Sequence, residues 1–298
     1  MKKIFFLVLL FNTGLVFGQA GSDGLSTFKI GVGARSLGMG EACVAVTDYS
    51  YSGYYNPAAI ATAARPQLLV MHRQWIQDVT TEYLSGTLPF SGWSAGIQVL
   101  TTAIPDIEVR TRPGDPEATF TARDFALGAT AAFKLGDDLI VGGTLKYAYE
   151  KICVDEWSGL GYDVGALYLL PVQGLSAGLS LLNAGSVRSD SRAPIELPMN
   201  LRGGLAYTFP VESMQSKLLL AADAIEYTHD NIFHSHFGAE LVYDSFLSLR
   251  AGYQSGYAIR NFTGGIGIQF SGISADYSVI PFQASAGVTQ VFSIGIAF

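Results

Sequence analysis

The chain is 298 residues long, carries a formal net charge of −7 and is only 14% charged, with 34 glycines and two cysteines. An acidic, sparsely charged surface argues against a nucleic-acid partner, which needs clustered basic residues. Two cysteines make no disulfide framework; a bond between Cys43 and Cys153 stays open as the less favoured reading.

Lys2 and Lys3 precede an apolar run from Ile4 to Phe17, then Gly18. A basic start, a short hydrophobic core and a small residue predict a secretory signal peptide over residues 1–18. The run falls short of the roughly 20 residues that a spanning helix needs, and no later stretch reaches that length. Cys43 lies too far from the run to carry a lipoprotein anchor.

Residues 19–65 are dense in Gly and Ala and too apolar for a disordered tail. Small residues let backbones approach closely, as a plug inside a narrow barrel requires. Asn56-Pro57 suits the cap and first turn of a short helix.

From residue 66 the pattern turns to period-two alternation broken by turn residues. It predicts fourteen strands near 66–76, 80–90, 93–103, 123–135, 139–150, 160–170, 174–184, 199–209, 217–228, 233–243, 246–254, 261–270, 272–280 and 289–298. Each is long enough to cross a bilayer at a tilt. Tight turns such as Phe90 to Trp93, Leu135 to Asp138 and Phe270 to Gly272 alternate with longer joins, the longest from Ile104 to Ala122. Short turns at one end and longer loops at the other are the up-and-down pattern of outer-membrane barrels. The expected fold is therefore all-β: a 14-stranded antiparallel transmembrane β-barrel over 66–298, preceded by an N-terminal plug over 19–65. Its place would be the outer membrane of a Gram-negative-type bacterium, with the membrane lipid as its first partner. Phe90, Trp93, Phe133, Phe209, Tyr243 and Phe270 fall at strand ends and suit interfacial girdles. A soluble β-sandwich alternates too, but does not need so many long strands.

The last strand sets Phe292, Ile294, Ile296 and Phe298 on one face and Val291, Ser293, Gly295 and Ala297 on the other. Such a strand, ending on an aromatic, is expected to serve as the insertion signal read by the barrel-assembly machinery.

With the apolar faces turned to lipid, Lys146, Asp163, Arg202, Asp223, Glu240, Arg250 and Asp276 point inward. Charges of both signs in a confined lumen are expected to pair as a scaffold rather than to act as a catalytic dyad. Inward Gly178, Gly204, Gly265 and Gly267 suit either kinks that open a lateral gap or space for a plug. No Gly-x-Ser-x-Gly elbow and no Ser–His–Asp order appears, so no enzymatic activity and no cofactor are expected. His229, His234 and His236 with Asp230 could form a metal site at the rim; polar rim residues facing water are the favoured reading.

Gly33-Ala34-Arg35-Ser36-Leu37-Gly38-Met39-Gly40, followed by Tyr55-Asn56-Pro57-Ala58-Ala59-Ile60, resembles the N-terminal signature of the PorV/PorQ family. Leu249-Arg250-Ala251-Gly252-Tyr253, Gly264-Gly265-Ile266-Gly267, Ala275-Asp276-Tyr277 and Phe292-Ser293 agree with it in the C-terminal half. The resemblance runs from about residue 27 to 298 and extends to the wider FadL-type group, which implies fourteen strands and an N-terminal plug. It implies a plug motif at Arg35, Asn56, Pro57 and Ala58. It also implies a role in type IX secretion, with secretion components or sorting-domain cargo as partners. The short outer loops depart from a cargo shuttle. FadL-like uptake of a small hydrophobic molecule, with the plug as gate, is the alternative.

Overall fold

The computed structural model describes residues 23–47, 51–190, 193–212, 215–229, 232–283 and 287–298; the expected signal peptide lies outside them. The alternating stretches form β1 (Gln67–Gln74), β2 (Thr80–Pro89), β3 (Trp93–Val109), β4 (Ala118–Leu135), β5 (Leu139–Ile152), β6 (Asp155–Leu169), β7 (Leu175–Arg188), β8 (Ile195–Glu196), β9 (Asn200–Val211), β10 (Ser216–Tyr227), β11 (Ile232–Tyr243), β12 (Leu247–Ser255), β13 (Phe262–Phe270), β14 (Ile273–Pro281) and β15 (Val288–Ala297). Each long strand pairs antiparallel with the next, and β1 closes on β15 from Gln67↔Ala297 to Gln74↔Gln290. The two-residue β8 hangs on the end of β7, which pairs onward with β9. Fourteen long strands make a closed barrel.

The side-chain period explains which way each residue points. Along β10, Leu219, Ala221, Asp223, Ile225 and Tyr227 are buried while Leu220, Ala222, Ala224 and Glu226 are exposed. On β15, Phe292 is 51% and Ile294 57% exposed, and Val291 and Ser293 are buried. A belt of such side chains is stable only against hydrocarbon, and the closed ladder leaves no unpaired backbone edge in it. This is an outer-membrane barrel. Phe90 stacks on Trp93 with ring centroids 4.4 Å apart, and Trp93 on Phe133 at 6.2 Å, giving part of the aromatic girdle at the tight-turn end.

Two predicted loops turn out to be largely strand and a third, 185–198, to be so in part. Most of 104–122 is a two-stranded ribbon, because β3 and β4 continue to Val109 and from Ala118, with a bulge between Ile104 and Ile107. β5 and β6 likewise run on to a turn at Cys153, whose φ is 56°, and β7 extends to Arg188. Beyond the lipid belt neither face need be apolar, so the hydrophobic alternation stops before the hydrogen-bond ladder does.

Both cysteines are free, Cys43 buried and Cys153 exposed. Burial pushes the Cys43 thiol far up, and the neighbouring Asp223 carboxylate adds to the effect. A membrane-impermeant maleimide added to intact cells should therefore label Cys153, which lies at the end opposite the tight turns, and leave Cys43 untouched. Protection of Cys153 in cells but not in lysed membranes would mean that the barrel faces the other way.

Candidate functional site

The described part of the N-terminal segment, residues 23–63, lies along the inside of the wall. It begins at the long-loop end, where Asp23 bridges Glu196 and pairs with Lys29 at 2.7 Å. Helix α1 (Ala34–Gly38) rests against β12 to β15, and the 3₁₀ turn Pro57–Thr62 against β2 to β6. Backbone amides seat it on wall side chains. Ala34 N–H donates to Ser293 Oγ at 2.8 Å, and the N–H groups of Cys43 and Val44 donate to Asp223 Oδ2 at 2.7 and 2.9 Å. Asn56 caps the 3₁₀ turn by accepting from Ala58 N–H at 3.1 Å, with Pro57 in the first turn. Its amide also reaches back to Val44 O at 2.8 Å and across to Ala166 O on β6 at 3.0 Å. Three of the four inward glycines make space for this segment. Gly178 and Gly204 abut Val44, and Gly265 abuts Gly38.

The seven lumenal charges separate into three groups. The first is a chain: Arg35 Nε to Glu240 Oε1 at 2.7 Å, Glu240 Oε1 to Arg250 Nε at 2.6 Å, and Arg250 Nη1 to Asp276 Oδ1 at 2.7 Å. Register produces it, since Glu240 and Arg250 sit directly opposite on β11 and β12. Arg250 then reaches Asp276 across β13 because Gly267 leaves the passage open; a Cβ there would sit 2.7 Å from Arg250 Nη1. The second group is Lys146, whose Nζ lies 2.7 Å from Asp163 Oδ2 and 2.6 Å from Asn183 Oδ1. Asp163 Oδ1 also accepts the N–H of Asn183 at 2.7 Å, where the β6–β7 register slips and Asn183 takes a φ of 60°. That carboxylate does the ladder's work at the bulge.

Arg202 and Asp223 depart from the expected pairing. Asp223 holds the segment's backbone instead of a cation. Arg202 donates to Asn200 Oδ1 at 3.1 Å and stacks 5.4 Å over the Tyr55 ring, with no carboxylate partner among the described residues.

A fourth cluster escaped the sequence reading. Glu41 pairs with Arg260 at 3.4 Å, and Gln254 Nε2 donates to Gly40 O and Glu41 Oε1, both at 3.1 Å. Burial disfavours the Glu41 charge, yet Arg260, His236 and Arg202 outweigh it and hold the carboxyl below its usual range. Tyr257, carried inward by the β12–β13 loop, is sandwiched between the His234 ring at 3.8 Å and the Arg260 guanidinium at 4.1 Å. Its hydroxyl lies 3.0 Å from His236 Nε2. His234 and His236 are thus buried lumen residues rather than water-facing rim residues, because their period on β11 is that of Glu240. Among the described residues no group of three ligands could hold a metal. Arg73 was legible from the β1 alternation, inward after Leu69 and Met71; Glu41 and Arg260 had no periodic signal, lying in irregular chain.

Between segment and wall, Phe28, Tyr54, Tyr83, Leu100, Ala126 and Lys146 enclose a cavity of about 10 Å³. That is room for a single water.

No family model matches the chain, and no curated protein does. Solved structures do. The Pseudomonas putida toluene transporter TodX aligns with a TM-score of 0.62 at 15% identity over 89% of this chain and 96% of its own. The CymD monoaromatic hydrocarbon channel aligns at 0.67 and 13%, over 90% and 98%. A Pseudomonas aeruginosa FadL homologue aligns at 0.54 and 12%, over 89% and 97%. The fold is that of the FadL-type outer-membrane barrels. At these identities the likeness establishes architecture alone, and it extends over nearly the whole of each neighbour. The neighbours' names describe transporters and channels, none of them an enzyme. The PorV/PorQ resemblance finds no counterpart in the comparisons.

Proposed function

We propose that the protein is a gated outer-membrane channel for a small hydrophobic molecule, with residues 23–63 as its movable plug and Arg35, Asn56, Pro57 and Ala58 among the residues that seat it. What supports this reading is a FadL-type fold whose described N-terminal residues lie buried against the inner wall, so that in this reading passage requires the segment to move. Its seat is made of small side chains, hydrogen bonds to wall side chains and the Arg35–Glu240 clamp, which can part without unfolding a strand. The names of TodX and CymD, which speak of toluene and monoaromatic hydrocarbons, supply the substrate class. Phe292, Ile294, Ile296 and Phe298, outward on the last strand, are the insertion signal for the assembly machinery in this scheme.

Type IX secretion is the second reading, and it rests on the resemblance of residues 33–40 and 55–60. Each of those stretches has a seating task that any plugged barrel shares: Gly38 against Gly265, Asn56 as cap and cross-link. The secretion reading therefore draws less support.

A lock separates the two. Ala34 and Ser293 are joined by a 2.8 Å hydrogen bond, so cysteines at both positions, in a background lacking Cys43 and Cys153, should form a disulfide between plug and wall. Oxidised cells are expected to lose toluene accumulation and to regain it with reductant. Uptake that ignores the lock ends the channel reading, and loss of secreted sorting-domain cargo from a deletion strain would revive the other.

A further inference from the structure

The outer wall is dented where β9 to β13 cross the middle of the barrel. Register aligns two neighbouring outward rows there. One reads Leu205, Ala222, Phe237, Tyr253 across β9 to β12; the next reads Tyr207, Leu220, Ala239, Ala251. The alanines make a floor and the large residues make its rims. The floor also lies low because the inward positions beneath it are Gly238 and Gly252, which let the wall settle onto Met39 and Gly40 of the segment. The result is a groove of about 670 Å³ with an almost wholly apolar lining. Its size falls among small-molecule sites, about 300–1,000 Å³.

We propose that this groove is a lipid-binding site that holds an acyl chain of an outer-membrane lipid in place. Three observations choose that occupant. The groove is continuous with the lipid-facing belt, it lies mid-strand at hydrocarbon depth, and it offers no charged residue to a headgroup or a polar partner. Here a chain enters between aromatic rims and loses contact with the fluid bilayer. The site is separate from the lumen and does not depend on the channel reading.

The test is native mass spectrometry of the full-length protein extracted from bacterial outer membranes in mild detergent. Wild-type barrels are expected to retain about one lipid each. Ala239→Trp and Ala251→Trp, which fill the groove, should lose it. Leu249→Trp, outward on the same strand but outside the groove, should keep it, and heat-modifiable migration on gels reports that each variant is folded. Wild-type barrels free of lipid, or lipid retained equally by folded groove-filled variants, would overturn the proposal. Recovery of a second barrel or another protein, displaced by the same tryptophans, would overturn it too and assign the groove to that partner.

Discussion

Glu240→Ala should cost the barrel about 3–5 kcal/mol, the penalty for removing one partner of a buried ion pair. The Glu240 side chain is 2% exposed and is held by Arg35 from the segment and Arg250 from the wall. It joins a cation of the segment to a cation of the wall, so its loss acts on both. Two buried guanidinium groups then lose the carboxylate that they share, while Arg250 keeps Asp276. Urea unfolding in lipid vesicles measures the loss, and Glu240→Gln, which keeps the hydrogen-bonding shape without the charge, should fall between. By contrast His72→Ala, which removes a pair to Glu82 that is half exposed on both sides, should change nothing measurable. Arg35→Met in the Glu240→Ala background should recover part of the stability, since it removes one of the two buried cations that Glu240 had neutralised. A Glu240→Ala barrel as stable as wild type would mean that the lumen is wet enough there to screen the pair.

The wall was largely legible in the sequence, and the reason is a single repeated choice. A residue on a barrel strand meets either hydrocarbon or the lumen, so runs such as Leu247-Ser248-Leu249-Arg250-Ala251 report their own orientation without any tertiary knowledge. The same rule placed all seven lumenal charges inside. Their partners were another matter. Glu240 and Arg250 pair because of register, and Arg250 reaches Asp276 only because β13 carries glycine at 267; neither fact has a one-dimensional trace. Asp223 looked like half of an ion pair and instead accepts two amides from Cys43 and Val44. The segment's own path was least legible, because small residues say that something packs closely but not what or where. Strand ends were missed for the opposite reason: at 104–122 the ladder continues where the lipid, which had supplied the signal, has ended.

Gly142→Val is expected to open the channel without unfolding the barrel. A Cβ at Gly142 would stand 2.6 Å from Ala58 N and from the carbonyl carbon of Pro57. Both are backbone atoms of the 3₁₀ turn that the Asn56 cap fixes, so no side-chain rotation relieves the clash. On the wall itself valine suits a strand better than glycine, so the strain falls on the contact and not on β5. Overpacking of this kind costs about 1–3 kcal/mol, which multiplies the population of the unseated state about 5- to 150-fold. Planar-bilayer recordings should show a largely closed wild type and frequent openings for Gly142→Val. Gly143→Val is the matched control, one residue along on the other face, where a Cβ meets only Asp163 O at an ordinary 3.5 Å. It should stay as closed as wild type. Equal conductance for Gly142→Val and Gly143→Val would show that residues 57–58 do not seal the tight-turn end of the lumen. The gate would then have to lie higher, at the Glu41–Arg260 contact that ties the segment to the β12–β13 loop.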